Sequence, residues 1–170
     1  MRFSPRLRAL LRFVEGRFLA DIGTDHAYLP IAACQEGKVE GAVACDLCAG
    51  PLAAAKENVK RAGLESQILL RQGYGLQALF DLKVGQRPDC LVISGMGGMN
   101  IAEILRDPAA CLCGVSRLVL QPQRDVLVVR EAVLDLGFGI IDEVVVQDRG
   151  RDYTILVAVP RFEEEQCGND

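Results

Sequence analysis

Ile140-Ile-Asp-Glu-Val-Val-Val-Gln147 and Tyr153-Thr-Ile-Leu-Val-Ala-Val159, separated by Asp148-Arg-Gly-Arg-Asp152, decide how this chain folds. Both runs are rich in β-branched residues, and the polar segment between them reads as a turn. No helical periodicity intervenes, so the two runs pair most simply as an antiparallel hairpin.

Everything before the hairpin alternates. Short apolar runs at 17–22, 41–46, 67–71, 88–94 and 116–120 read as buried strands. Between them the period becomes helical. Ser4-Pro5 is a capped helix start, with Leu7, Leu10, Leu11 and Val14 on one stripe and most of the nearby arginines on the other face. Further helices are expected over about 27–36, 50–62, 99–106 and 124–136, with a short turn or helix over 76–80. Strands alternating with helices imply a parallel, doubly wound sheet. A dinucleotide-binding fold would add a sixth parallel strand after a helix. Seven strands closed by a hairpin is instead the Rossmann-like pattern of class I S-adenosylmethionine (SAM) methyltransferases. The expected fold is therefore α/β: a seven-stranded, mostly parallel sheet, a C-terminal antiparallel hairpin and helices on both faces.

The chain has 170 residues, half of them hydrophobic and a quarter charged. That is one globular domain, expected over 1–162, followed by an acidic tail at 163–170. No apolar run reaches the ~20 residues of a membrane span, and the arginine-bearing start lacks a signal-peptide pattern, so a cytoplasmic protein is expected. The net charge of −4 opposes indiscriminate nucleic-acid binding but leaves room for a local basic face. Arg2, Arg6, Arg8, Arg12 and Arg17 supply one, against a single nearby acid, Glu15. A solvated helix face explains them equally well. Seven cysteines without an export signal read as reduced apolar residues. Cys45-x-x-Cys48 has no second pair and Cys111-x-Cys113 is too tight for a zinc knuckle, so no metal is expected.

Ligands of open α/β sheets bind at the carboxyl ends of the strands. After the first strand stands Ala20-Asp-Ile-Gly-Thr-Asp-His-Ala-Tyr-Leu-Pro30. Gly23 permits close backbone approach, and amides of the following turn are expected to point at the ligand. Asp21 suits a cationic ammonium. Asp21 and Asp25 would repel a pyrophosphate but not a sulfonium, which favours SAM over NAD. Asp46, 25 residues after Asp21, suits a pair of ribose hydroxyls or the cap of the next helix. In Gln72-Gly-Tyr-Gly-Leu76, Gly73 and Tyr74 could lie against an adenine, or form a plain turn. Ser94-Gly-Met-Gly-Gly-Met-Asn100 carries glycines that lose the most entropy on folding, so a backbone approach to a substrate is one reading and a lubricated turn the other. Gln121-Pro-Gln123 suits a nucleobase edge or a helix cap, and Arg124 a phosphate. His26 reads more readily as a hydrogen-bonding support than as a base.

The stretches 20–30, Ile93-Ser-Gly-Met-Gly-Gly98 and Leu118-Val-Leu-Gln-Pro-Gln123 resemble the bacterial tRNA (adenine-22-N1)-methyltransferase family, TrmK, over about residues 3–160. The resemblance implies a SAM-dependent enzyme that methylates N1 of adenine 22 in tRNA. It places Asp21, Gly23 and Asp25 around the methionine end of SAM and Asp46 on the ribose; Thr24, His26, Gly73, Tyr74, Ser94 and Gly95 are the further residues expected to bind the cofactor. Gly95, Met96, Gly97, Gln121 and Gln123 would then face the target base, with Arg6, Arg8, Arg12 and Arg124 gripping phosphates. Tyr74 stands where the family usually has Asn or Asp, and Gln123 where it has Asn. The family's C-terminal coiled-coil domain is expected to be missing here. Two other readings remain: a SAM- or RNA-binding module without turnover, and an NAD(P)-dependent oxidoreductase. The oligomeric state is not legible.

Overall fold

Five short parallel strands form the frame, the central ones buried on both faces and the edge strand only partly. The computed structural model describes residues 3–107 and 112–161. Arg2, Cys111 and the tail at 163–170 lie outside the described residues. The strands are β1 (Phe18–Ile22), β2 (Gly41–Asp46), β3 (Ile68–Gln72), β4 (Cys90–Met96) and β5 (Arg117–Pro122), followed by β6 (Phe138–Asp148) and β7 (Arg151–Pro160). They form one sheet in the order β3-β2-β1-β4-β5-β7-β6. β1 to β5 pair in parallel, and β7 runs antiparallel to both β5 and β6.

Parallel strands need cover on both faces, and successive side chains supply it alternately. Leu19, Ala42, Ala44, Val92 and Val119 point into one apolar layer. There they meet α1 (Pro5–Phe13), α2 (Tyr28–Gln35) and α3 (Ala49–Ala62) through Leu10, Leu11, Ile31 and Val59. Their neighbours Ala20, Val43, Leu91, Ile93 and Leu120 point into the other layer. That layer is closed by α4 (Gly98–Arg106) and α5 (Val126–Asp135) through Ile101, Leu105, Val129 and Val133. Ser4 caps α1 as its sequence predicts, its hydroxyl accepting from the Leu7 amide.

The differences from the sequence reading lie at element ends. β4 runs on through Gly95 to Met96, because a register shift between Ser94 and Met96 absorbs the glycine as a bulge at φ +76°. β5 likewise includes Gln121 and Pro122, which were expected beyond it. α5 begins at Val126 rather than at 124, because Asp125 holds a left-handed φ of 56°. The turn over 76–80 is a 3-10 segment, Gly75–Leu79, and a second one, Val84–Gln86, had no sequence signal.

The expected five-residue turn is only two residues long. Asp148 pairs with Arg151 and Gln147 with Asp152. Arg149 and Gly150 make the turn with φ of 50° and 74°, the mirror-type geometry that matches strand twist. β5 meets β7 only over Leu118–Leu120. The upper half of the β6–β7 ribbon therefore rises past the carboxyl end of β5, and α1 packs against it. This raised ribbon brings the start of α1 over the cleft.

Candidate active site

The strand order reverses between β1 and β4, and a cavity of about 650 Å³ opens at their carboxyl ends. Asp21, Gly23, Thr24, Asp25, His26, Asp46, Gly73 and Tyr74 line it from the β1–β3 side of the sheet. Ser94, Gly95, Met96 and Gln123 line it from the β4–β5 side, and Arg6 from α1. The structure thus brings together nearly all of the residues expected to hold a ligand. It also adds Asn100 and Ile104 of α4 and Leu7 and Leu10 of α1, which carried no chemical signal in the sequence.

Asp21 ends β1 with its side chain 4% exposed. Thr24 Oγ1 donates to Asp21 Oδ2 at 2.7 Å. Burial pushes the Asp21 carboxyl up to about 6; the Thr24 hydrogen bond opposes this and the nearby Asp46 charge adds to it. Asp46 is held from both sides: Oδ2 accepts from the Asp25 amide at 3.2 Å and Oδ1 from the Cys48 amide at 2.9 Å. Asp46 is not the cap of α3; that position is Cys48.

The loop after β1 coils tightly. Gly23, Asp25 and Ala27 all hold left-handed φ, of 74°, 56° and 58°. For a buried alanine this conformation is strained and persists only because its surroundings enforce it. The expected free amides are not free. Those of Gly23 and Thr24 both donate to the Cys45 carbonyl, at 2.9 and 2.8 Å, and that of Asp25 goes to Asp46. The loop therefore presents carboxylates to the cavity rather than amide donors, and it suits a cation better than a phosphate. A Cβ on Gly23 would meet only the flexible end of the Met96 side chain, so it is the left-handed φ of 74° that calls for glycine here.

His26 sits at the rim, with Nε2 3.5 Å from Asp25 Oδ1 and its ring beside Tyr28. Tyr74 donates its hydroxyl to Glu103 Oε1 at 2.8 Å, which raises the phenol above its ordinary range. That hydrogen bond fixes the ring on the cavity wall.

Gln121 and Gly97 are not among the residues that line the cavity. Gln121 is fully buried. Its Oε1 accepts from the Gly95 amide at 3.1 Å and from Arg6 Nη1 at 3.4 Å, and its Nε2 donates to the Pro122 carbonyl at 3.0 Å. Gly97 is the N-cap of α4, and Gly98 donates its amide to the Arg124 carbonyl. Arg8, Arg12 and Arg124 are exposed, whereas Arg6 is half-buried.

Cys45 is buried in β2, with a thiol pushed up to about 12, and Cys48 is exposed. Among the described residues no group of three or more His, Cys, Asp or Glu could hold a metal ion, and no helix is long and apolar enough to cross a membrane.

The residues fit an elongated ligand with a positive end. The cavity offers a buried carboxylate, Asp21, a second carboxylate anchored by two amides, Asp46, and the ring of Tyr74 between two glycines. Among the described residues the lining contains no lysine or cysteine to act as a covalent nucleophile.

A methyltransferase domain family matches residues 3–156. The chain is 40% identical over 159 residues to the tRNA (adenine(22)-N(1))-methyltransferase of Bacillus subtilis, covering 93% of this chain and 65% of that protein. It spans less than two thirds of the length of the curated relatives it matches. The crystal structure of the B. subtilis m1A22 tRNA methyltransferase TrmK superposes with a TM-score of 0.84 at 37% identity, covering 94% of this chain and 67% of that one. A Streptococcus pneumoniae protein solved in complex with S-adenosyl-L-methionine superposes at 0.87 with 35% identity, covering 95% and 75%. With the cavity at the same strand ends that the sequence motifs mark, the chain belongs to the methyltransferase-domain family, in the group of bacterial tRNA (adenine-22-N1)-methyltransferases.

Proposed function

We propose that this chain transfers the methyl group of S-adenosyl-L-methionine to N1 of adenine 22 in tRNA. The observation that carries the reading is the make-up of the cavity: Asp21, Asp25 and Asp46 on the β1–β2 side of the sheet, the Gly95-Met96 bulge and Gln123 on the β4–β5 side. S-adenosyl-L-methionine, when bound, supplies an electrophilic methyl on a sulfonium. Asp21 takes the ammonium of its methionine end, and Asp46, already fixed by two amides, accepts from the ribose hydroxyls. Tyr74, steadied by Glu103, lies beside the adenine. On the β4–β5 side the Gly95-Met96 bulge and Gln123 shape the place for the target base.

Adenine N1 carries its own lone pair, so no residue has to remove a proton to create the nucleophile. His26 is therefore not required as a base. Rate enhancement comes from alignment of the adenine lone pair with the sulfonium methyl. Extruding a paired or stacked base costs a few kcal/mol, which contacts in the cavity must offset. Arg8, Arg12 and Arg124 are the exposed cations proposed to meet phosphates. A tRNA substrate makes the cytoplasm the expected location.

The test is incubation with unmodified tRNA and S-adenosyl-L-methionine, digestion, and mass detection of 1-methyladenine at position 22. Product that disappears with Asp46→Ala supports the reading. Saturable cofactor binding without product would leave a binding module instead. A larger thermal shift from a nicotinamide cofactor than from S-adenosyl-L-methionine would favour an oxidoreductase.

A further inference from the structure

The sequence groups Arg6 with Arg8 and Arg12 in one basic cluster, but the structure separates it from them. Arg8 and Arg12 face solvent; Arg6 lines the cavity, half-buried. Its guanidinium lies over the Tyr153 ring, 5.1 Å from the centroid, within cation–π range. Its Nη1 donates to Gln121 Oε1 at 3.4 Å. Its partners are thus an aromatic ring and a neutral amide. That environment holds a guanidinium flat and in one place, whereas an arginine that grips phosphate gains most from exposure and reach.

The surroundings keep space beside this flat cation. A Cβ on Gly95 would stand 3.8 Å from Arg6 Nη1, and Gly95 holds a φ of 76° that side chains rarely adopt. Gly95 donates its amide to the same Gln121 oxygen that receives Arg6. Gln121 therefore ties the start of α1 to the bulge of β4 through one atom. Guanidinium planes stack on nucleobases, as aromatic rings do, while an ammonium does not.

The geometry points to Arg6 as the stacking platform for the target adenine, backed by Tyr153 and kept in register with Gly95 by Gln121. This rests on the tRNA reading above for its substrate. Tyr153 and Gln121 are positioning residues: they touch Arg6, not the base. The fully buried amide of Gln121 then has a purpose that direct contact with the base could not give it.

The test uses adenosine, which has no phosphate, added to protein saturated with S-adenosylhomocysteine and read by saturation-transfer NMR. Arg6→Lys keeps the charge and removes the plane. Adenosine binding is expected to weaken about fivefold or more in Arg6→Lys, Arg6→Ala and Tyr153→Leu, and to be retained in Tyr153→Phe. S-adenosylhomocysteine affinity and the thermal midpoint should match wild type, which excludes misfolding. On tRNA, Arg6→Lys should slow single turnover at saturating tRNA by about tenfold or more with the salt slope of binding unchanged. No adenosine binding by the wild type, or equal binding by Arg6→Lys, overturns the proposal. So does an Arg6→Ala variant that lowers the salt slope by about one with its saturated rate intact, since that marks a phosphate contact. Arg6-dependent adenosine binding without 1-methyladenine in tRNA would instead overturn the tRNA reading and leave a purine platform.

Discussion

Thr24 Oγ1 donates a 2.7 Å hydrogen bond to Asp21 Oδ2, and among the described residues this is the one side-chain hydrogen bond that compensates the most deeply buried carboxylate in the cavity. One neutral hydroxyl does not replace bulk water, so the carboxyl remains pushed up to about 6. Asp21 is thus a carboxylate whose ionised form is disfavoured by its burial in the cavity.

Asp21→Asn should therefore stabilise the fold and disable it. The folded value of about 6 lies above the unfolded value of 3.8, so the native state holds the proton more tightly. Stability from this group is full below about pH 4 and is lost as pH rises through 6. The variant should gain roughly 1–3 kcal/mol at pH 7.5, shrinking toward zero near pH 4. Urea unfolding of both proteins across that range measures it. A variant less stable at pH 7.5 would show that Asp21 is better solvated than its burial implies.

Cofactor affinity should follow the same carboxyl with the opposite benefit. An ammonium needs the ionised form, so affinity for S-adenosyl-L-methionine should be flat above about pH 6.5 and fall toward tenfold per pH unit below 6. Thr24→Val removes the opposing hydrogen bond and should move the midpoint upward. Calorimetry at several pH values reads both, and a midpoint near 4 in wild type would contradict the burial argument.

Neighbouring glycines at the start of α4 should differ sharply. A Cβ on Gly98 would collide with the backbone carbonyls of Arg124 and Asp125, which cannot yield without moving α5. A Cβ on Gly97 would meet only the flexible Arg124 side chain, at 3.3 Å from Nε. Gly98→Ala should lose about 2 kcal/mol or more and Gly97→Ala less than about 1. Equal losses in thermal unfolding would mean that the helix junction gives more easily than its contacts imply.

Arg149 is a non-glycine residue in the left-handed region at the ribbon tip, with φ 50°. Asn tolerates that region better. Arg149→Asn should raise stability by about 0.5–1 kcal/mol, while Gly150→Ala should lower it by about 1. The ribbon supports α1, so Gly150→Ala should also loosen the start of α1 in hydrogen exchange.

Periodicity alone was enough to place the alternation of strands and helices, because buried parallel strands and one-sided helices leave opposite marks on a chain. The five core strands, the helices between them and the closing hairpin all follow from it. So does the set of residues gathered at the strand ends, since Asp21, Asp46, Tyr74 and Gly95 each sit where an apolar run stops. All four line the same cavity.

What the chain order could not show is which polar groups are spent on the protein itself. Gln121 read as a free amide beside a turn, and the β4 bulge buries it. The amides of Gly23 and Thr24 read as ligand donors, and the Cys45 carbonyl of the neighbouring strand takes them. Arg6 read as one of a row of surface cations, and the raised β6–β7 ribbon places Tyr153 beneath it. Hydrophobic pattern is a local property of residues a few positions apart, so sequence determines it. Hydrogen-bond partners and burial depend on atoms 21, 115 or 147 positions away along the chain, as Asp25 with Asp46, Arg6 with Gln121 and Arg6 with Tyr153 show, and only the folded sheet brings those together.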